Sequence, residues 1–127
     1  MSIAVLDSSA FLALVYGETG GEIVAERCRN GLMSTVNYSE VLTKQVERSQ
    51  LGGAVTRYAK FLEIAIVDFD RELAEATAQL RRITRDRGLS FGDRACLALA
   101  IREKGYVLTA DQAWKGLDVG CDIEMIR

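Results

Sequence analysis

Short apolar runs alternate with longer stretches of helical pattern along this chain, and that alternation restricts the fold more than any other feature. Apolar runs fall at 3–6, 32–35, 64–67 and 106–108, and residues 122–126 offer a fifth at an edge. Helical patterns fill the gaps at 10–16, 22–29, 37–49, 54–63 and 70–87, with a further helix capped by Ser90 and running through Lys104. Glycines punctuate them: Gly17, Gly20-Gly21, Gly31, Gly52-Gly53, Gly88 and Gly105. The runs are apolar on both faces, as strands covered on both sides must be. Parallel strands need long crossovers, and the helices supply them. The expectation is an α/β fold with a central, mainly parallel sheet of four to five strands.

Length and composition narrow the class. A chain of 127 residues suits one domain, 1–127. Apolar residues make up 49% and charged residues 27%, the balance of a soluble globular protein. No apolar stretch approaches the ~18 residues of a membrane span. Residues 1–6 lack the basic start of a signal peptide and run straight into Asp7, so a cytoplasmic location is expected. Cys28, Cys96 and Cys121 are odd in number and scattered, which reads as reduced thiols with Cys96 in the core. A net charge of −2 argues against binding nucleic acid by bulk electrostatics alone.

The chain contains no histidine, so any acid, base or metal-ligand role falls to carboxylates. Four stand where an apolar run meets a helix start: Asp7, Glu40, Asp93 and Asp111. Each has an ordinary explanation. Asp7 suits an N-cap. Glu40, in Asn37-Tyr-Ser-Glu40, suits a capping box with Asn37, or an ion pair with Lys44 one turn later. Asp93 closes a box with Ser90. Asp111 suits the first turn of a helix capped by Thr109, with Gln112 completing the box.

The joint placement says more. Parallel strands run into helix starts along one edge of the sheet, and ligands bind there. Asp93 also shares a face with Cys96, Leu97 and Ala100, in a helix apolar all round, so its carboxylate points inward. Four carboxylates in one pocket repel each other and raise each other's pKa. A hard cation, Mg²⁺ or Mn²⁺, resolves that conflict and suits phosphate chemistry. Asp68 and Asp118 are weaker candidates for the cluster. Ser9 and Thr109 are candidate supporting hydroxyls. Arg94 and Arg85 are candidate phosphate contacts.

Several segments resemble one known family. Val5-Leu-Asp-Ser-Ser-Ala-Phe-Leu12 resembles the opening of PIN-domain proteins. Asn37-Tyr-Ser-Glu-Val-Leu42 resembles their second acidic motif, Leu89-Ser-Phe-Gly-Asp-Arg-Ala-Cys-Leu-Ala-Leu-Ala100 the third and Leu108-Thr-Ala-Asp111 the fourth. Order and spacing fit along essentially the whole chain. A compact stand-alone domain of this kind looks like a VapC-type toxin of a toxin–antitoxin pair. The resemblance implies a PIN-like three-layer α/β/α sandwich and a Mg²⁺- or Mn²⁺-dependent endoribonuclease that leaves 5′-phosphate and 3′-hydroxyl ends. It implies an acidic site of Asp7, Glu40, Asp93 and Asp111 supported by Thr109. It implies an RNA substrate, a small VapB-type antitoxin as partner, a homodimer, and contact with operator DNA only through the antitoxin. Position 94 is often small in the family pattern, whereas Arg94 stands here.

Three other readings compete. An aspartyl-phosphate receiver would place Asp7 and Asp68 after strands, but it needs a close acidic pair, and Ser8-Ser9 follow Asp7. A PIN scaffold acting only through a partner would not need all four acids. A PIN nuclease of RNA processing shares the same residues.

Overall fold

The computed structural model describes residues 2–48 and 53–127. Its sheet contains β1 (Ala4–Leu6), β2 (Leu32–Ser34), β3 (Ala65–Val67), β4 (Tyr106–Thr109) and β5 (Ile123–Met125), ordered β3-β2-β1-β4-β5. Every neighbouring pair is parallel, with Leu6 opposite Leu108 and Thr109 opposite Met125. The chain lays β2 and β3 on one side of β1, then crosses back to add β4 and β5 on the other. The winding direction therefore reverses between β1 and β4. A crevice opens at the carboxyl ends of such a pair.

Successive strand residues point to opposite faces, and the two faces carry separate cores. Leu6, Met33 and Leu108 pack with α1 (Ser8–Tyr16), α2 (Gly21–Arg27), α3 (Thr35–Glu47) and α4 (Ala54–Phe61). Val5, Val107 and Val67 pack with α5 (Arg71–Gln79) and α7 (Phe91–Arg102) on the other face. These are the three layers of the expected sandwich. Helix α7 is buried from Ala95 through Ala100, so it is fixed against the sheet on nearly every side. Helix α3 touches both α1 and α7 and so closes the carboxyl end of the crevice.

Two helices differ from the sequence expectation. Helix α3 begins at Thr35, not Asn37, because Ser34 is its cap: the Ser34 hydroxyl accepts the Val36 amide at 3.1 Å. Strand β2 ends at Ser34, whose extended backbone suits a cap. Asn37 then falls inside the first turn, and the Asn37–Glu40 capping box does not form. The expected helix end at Ser49, and Gly52 of the Gly52-Gly53 break, lie outside the described residues.

The long helix expected over 70–87 is broken into α5, α6 (Arg81–Thr84) and a 3-10 turn, Arg85–Arg87. The Arg94 guanidinium donates to the Thr77 carbonyl at 2.9 Å, and the Thr84 hydroxyl donates to the Leu80 carbonyl at 2.8 Å. Side-chain donors that enter a helical ladder bend it.

A candidate acidic site at the reversal of the sheet

Asp7 follows β1 and occupies the N-cap position of α1, but its side chain makes no cap hydrogen bond. The ordinary capping role is not what the carboxylate does. Instead Oδ2 accepts the hydroxyls of Ser9 at 2.6 Å and Thr109 at 2.8 Å. Each hydroxyl is oriented in turn. The Ala110 amide donates to Ser9 Oγ at 2.9 Å, and the Asp111 amide donates to Thr109 Oγ1 at 3.1 Å. With a lone pair of each hydroxyl engaged, its single proton is directed at Asp7. The carboxylate is nevertheless 4% exposed. Burial is the main cause that pushes its pKa up to about 6; the two hydroxyls oppose the shift, while the charges of Asp93 and Glu40 add to it.

Glu40 projects from α3. Its Oε1 accepts the Ser8 hydroxyl, and also the Asn37 side-chain amide at 3.0 Å. The same amide nitrogen donates to the Gly92 carbonyl at 3.0 Å, across to α7. A Cβ at Gly92 would meet the Glu40 carboxylate, which would have to move to admit it. Asn37 is fully buried, and its Oδ1 lacks a partner among the described residues.

Asp93 combines both roles weighed from sequence. Its Oδ2 accepts the Ser90 amide at 2.8 Å, and its own amide donates to Ser90 Oγ at 3.2 Å, which completes the capping box. The side chain is also half-buried in the crevice. Burial raises its pKa first; hydrogen bonds from Ser90 oppose that, and the charges of Asp111 and Glu40 reinforce it. Asp111 caps a single 3-10 turn, Gln112–Trp114, through Oδ1, which accepts the Ala113 amide at 2.9 Å. Thr109 is therefore not a helix cap, and no longer helix follows.

Asp7, Glu40, Asp93 and Asp111 line one pocket of about 230 Å³ together with Ser8, Ser9, Leu12 and Lys44. Its volume is below the ~300 Å³ at which small-molecule sites begin, enough for a phosphate and a cation rather than a buried nucleoside. All donors lining it are oxygen atoms apart from Lys44, a set that fits a hard divalent cation. Among the described residues, no three Asp, Glu or Cys side chains stand as a ready-made ligand set. The acids share the pocket while hydrogen bonds to the scaffold hold them apart.

Other sequence candidates lie elsewhere. Arg94 does not line the pocket, because its guanidinium is engaged on α5. Arg85 is exposed in the 3-10 turn and does not line it either. Asp118 faces a different cavity, beside Lys104 and Asp122. Asp68 is exposed and absent from the pocket wall. Lys44 pairs with Glu47 at 3.4 Å rather than with Glu40. Sequence reasoning missed the parts played by Ser8, Gly92 and Lys44 and gave Asn37 only a capping role. The one signal was proximity to the acidic motifs.

A parallel sheet with carboxylates gathered at its winding reversal defines an α/β protein with an acidic site at the strand ends. The sequence matches the PIN domain family over residues 4–119, and the chain belongs to that family. No curated protein sequence matches it. Among solved structures, a toxin–antitoxin complex from Klebsiella pneumoniae is similar with a TM-score of 0.74 at 18% identity, over 99% of this chain and 98% of that one. VapBC2 from Rickettsia felis, bound to a DNA fragment from its promoter, gives 0.69 at 17% identity, over 96% and 97%. VapBC-5 of Mycobacterium tuberculosis gives 0.62 at 22% identity, over 100% and 99%. At these identities the likeness is one of fold.

Proposed function

We propose that this PIN domain is a Mg²⁺- or Mn²⁺-dependent endoribonuclease and the toxin of a VapBC-type pair. The observation that carries the reading is the convergence of four carboxylates, from four separate segments, on one pocket at the reversal of the sheet. Asp7, Asp93 and Asp111 would hold the cation, with Glu40 completing the set directly or through water. When bound, a divalent cation supplies charge stabilisation on the phosphate and a stronger nucleophile from water. The Ser9 and Thr109 hydroxyls fix the Asp7 oxygen that faces them. Glu40 has Oε1 held by Ser8 and Asn37 and Oε2 against Gly92, so a fixed carboxylate would help orient the attacking water.

The small pocket admits a phosphodiester from an accessible strand, so single-stranded RNA or a loop is the fitting substrate. Structural kinship with toxin–antitoxin complexes supports a small VapB-type antitoxin as partner, and the resemblance to VapC-type toxins implies a homodimer. Two of the similar complexes hold DNA. With a net charge of −2, this chain would reach operator DNA through its partner.

The test is incubation of purified, partner-free protein with total cellular RNA in Mg²⁺, Mn²⁺ or chelator. Discrete cuts that vanish with chelator, bearing 5′-phosphate ends, are expected. A folded protein that binds Mn²⁺ but leaves RNA intact would instead be a scaffold acting through its partner. Lys44 supplies a second check. It is the one cation lining the pocket among the described residues, and its exposed pair with Glu47 is worth under about 1 kcal/mol. It is therefore free to reach a substrate phosphate. Lys44→Ala should raise KM by roughly 5-fold with kcat little changed, the mark of lost uniform binding. An unchanged KM would remove Lys44 from the substrate path.

A further inference from the structure

We propose that Asn37 is a positioning residue, locking the Glu40 carboxylate into a notch over Gly92 so that α3 and α7 hold one fixed spacing across the pocket. The inference rests on the proposed cation-dependent site and names a part of it that the acidic motifs do not contain. Three observations carry it. The Asn37 amide nitrogen contacts two acceptors, Glu40 Oε1 and the Gly92 carbonyl, each at 3.0 Å. Both neighbours are acceptors, so only the nitrogen end can face them. Asn37 is 0% exposed, and the other end of its amide is buried without a partner among the described residues. A site chosen for packing alone would favour an apolar side chain there. Finally, the Glu40 carboxylate fills the space that a Cβ at residue 92 would take.

The chemistry restricts the residue type. Aspartate would set a second negative charge against Glu40 and lose the donor. Serine is too short to reach from α3 to the Gly92 carbonyl. Glutamine is longer by one carbon than the gap allows. Gly92 follows from the same geometry, since the notch exists only where α7 lacks a side chain. Asn37 thus ties Glu40 to the turn that also carries Asp93, and the Ser8 hydroxyl closes the third side.

The test compares Asn37→Ala and Gly92→Ala with wild type, each also in a Glu40→Gln background. Folding is followed by thermal melting, Mn²⁺ binding by calorimetry, and RNA cleavage as kcat and KM. Partners that orient metal-site ligands are worth about 10–100-fold in affinity or activity. Asn37→Ala should lower Mn²⁺ affinity or kcat by that amount with KM nearly unchanged, and should add little once Glu40 is glutamine. Gly92→Ala, which disturbs the same carboxylate from the other helix, should behave alike and stands in if Asn37→Ala does not fold. Losses that multiply fully in the Glu40→Gln background would show general structural damage and overturn the proposal. So would unchanged Mn²⁺ binding and kcat in both variants. If wild type neither binds Mn²⁺ nor cleaves RNA, the proposed function fails by itself. The notch is then judged from the Asn37 side-chain amide protons in NMR spectra. Slow solvent exchange that quickens in Glu40→Gln supports it, and fast exchange in wild type overturns it.

Discussion

Asp93→Asn is expected to reduce RNA cleavage by about 10³-fold or more while leaving the protein folded, because several kcal/mol of charge stabilisation depend on the cation that this carboxylate would hold. The choice of asparagine matters. Asp93 also closes the capping box of α7 by accepting the Ser90 amide. An asparagine oxygen accepts the same bond, so the helix start survives. Asp93→Ala would lose both roles and cost about 1 kcal/mol of stability as well. The comparison therefore separates the cap from the chemistry. Cleavage assays beside thermal melts read both, and an Asp93→Asn protein that cleaves RNA at wild-type rate in the same metal would sink the assignment.

Asp7→Asn should show the opposite signs for stability and activity. The Asp7 pKa is pushed up to about 6 in the fold, against an ordinary value of 3.8. The folded state therefore binds the proton more tightly than the unfolded chain. That stabilising contribution is complete below about pH 4 and is lost as pH rises through about 6. Two pH units correspond to roughly 3 kcal/mol. In chelator, wild type should lose this much stability between pH 4 and pH 7 relative to Asp7→Asn, whose amide does not ionise and still accepts the Ser9 and Thr109 hydroxyls. At pH 7.5 the variant should melt higher by about 10 °C, yet cleave nothing. Adding Mn²⁺ should raise the wild-type melting temperature and leave the variant where it was, since only a ligand that binds the folded site stabilises it. Parallel pH profiles for the two proteins would show that Asp7 is not held in the state described.

The alternation of strands and helices was readable because most strands are apolar runs and several stops, such as Gly17, Gly88 and Gly105, are marked by glycine. The joint position of the four acids was readable for the same reason: parallel strands deliver their carboxyl ends to one edge. What remained hidden depends on contacts between segments distant in the sequence. Ser34, Thr35 and Asn37 are all credible caps for α3, and the choice is made where β2 stops pairing with β3. The long helix reads as continuous because nothing in residues 70–87 forbids it; the break follows from Arg94, on another helix, and from the Thr84 hydroxyl. The same contact takes Arg94 out of the pocket. Asp7 reads as a cap by position, and only the hydroxyls of Ser9 and Thr109 show that its carboxylate is turned elsewhere. Gly92 carries no chemistry of its own, so its importance lies wholly in the space it leaves to Glu40.

The placement of β1 between β2 and β4 sets a timetable. Strand β1 is made first, yet its neighbour on one side is not synthesised until residues 106–109. The pocket needs that pairing, because Thr109 and Asp111 come from the late strand and the turn after it. Closing so large a loop before any contact repays it is slow, and parallel pairing between distant segments is intrinsically slow to form. Translation at about 5–20 residues per second spends several seconds between Asp7 and Asp111. A ribosome-bound fragment that ends before β4 lacks Asp111 from the pocket wall and the Thr109 hydroxyl that holds Asp7, however well its first helices have packed. Whatever activity the folded domain possesses is withheld until residues 106–111 emerge, an interval in which a binding partner already present in the cell has time to meet the incomplete chain.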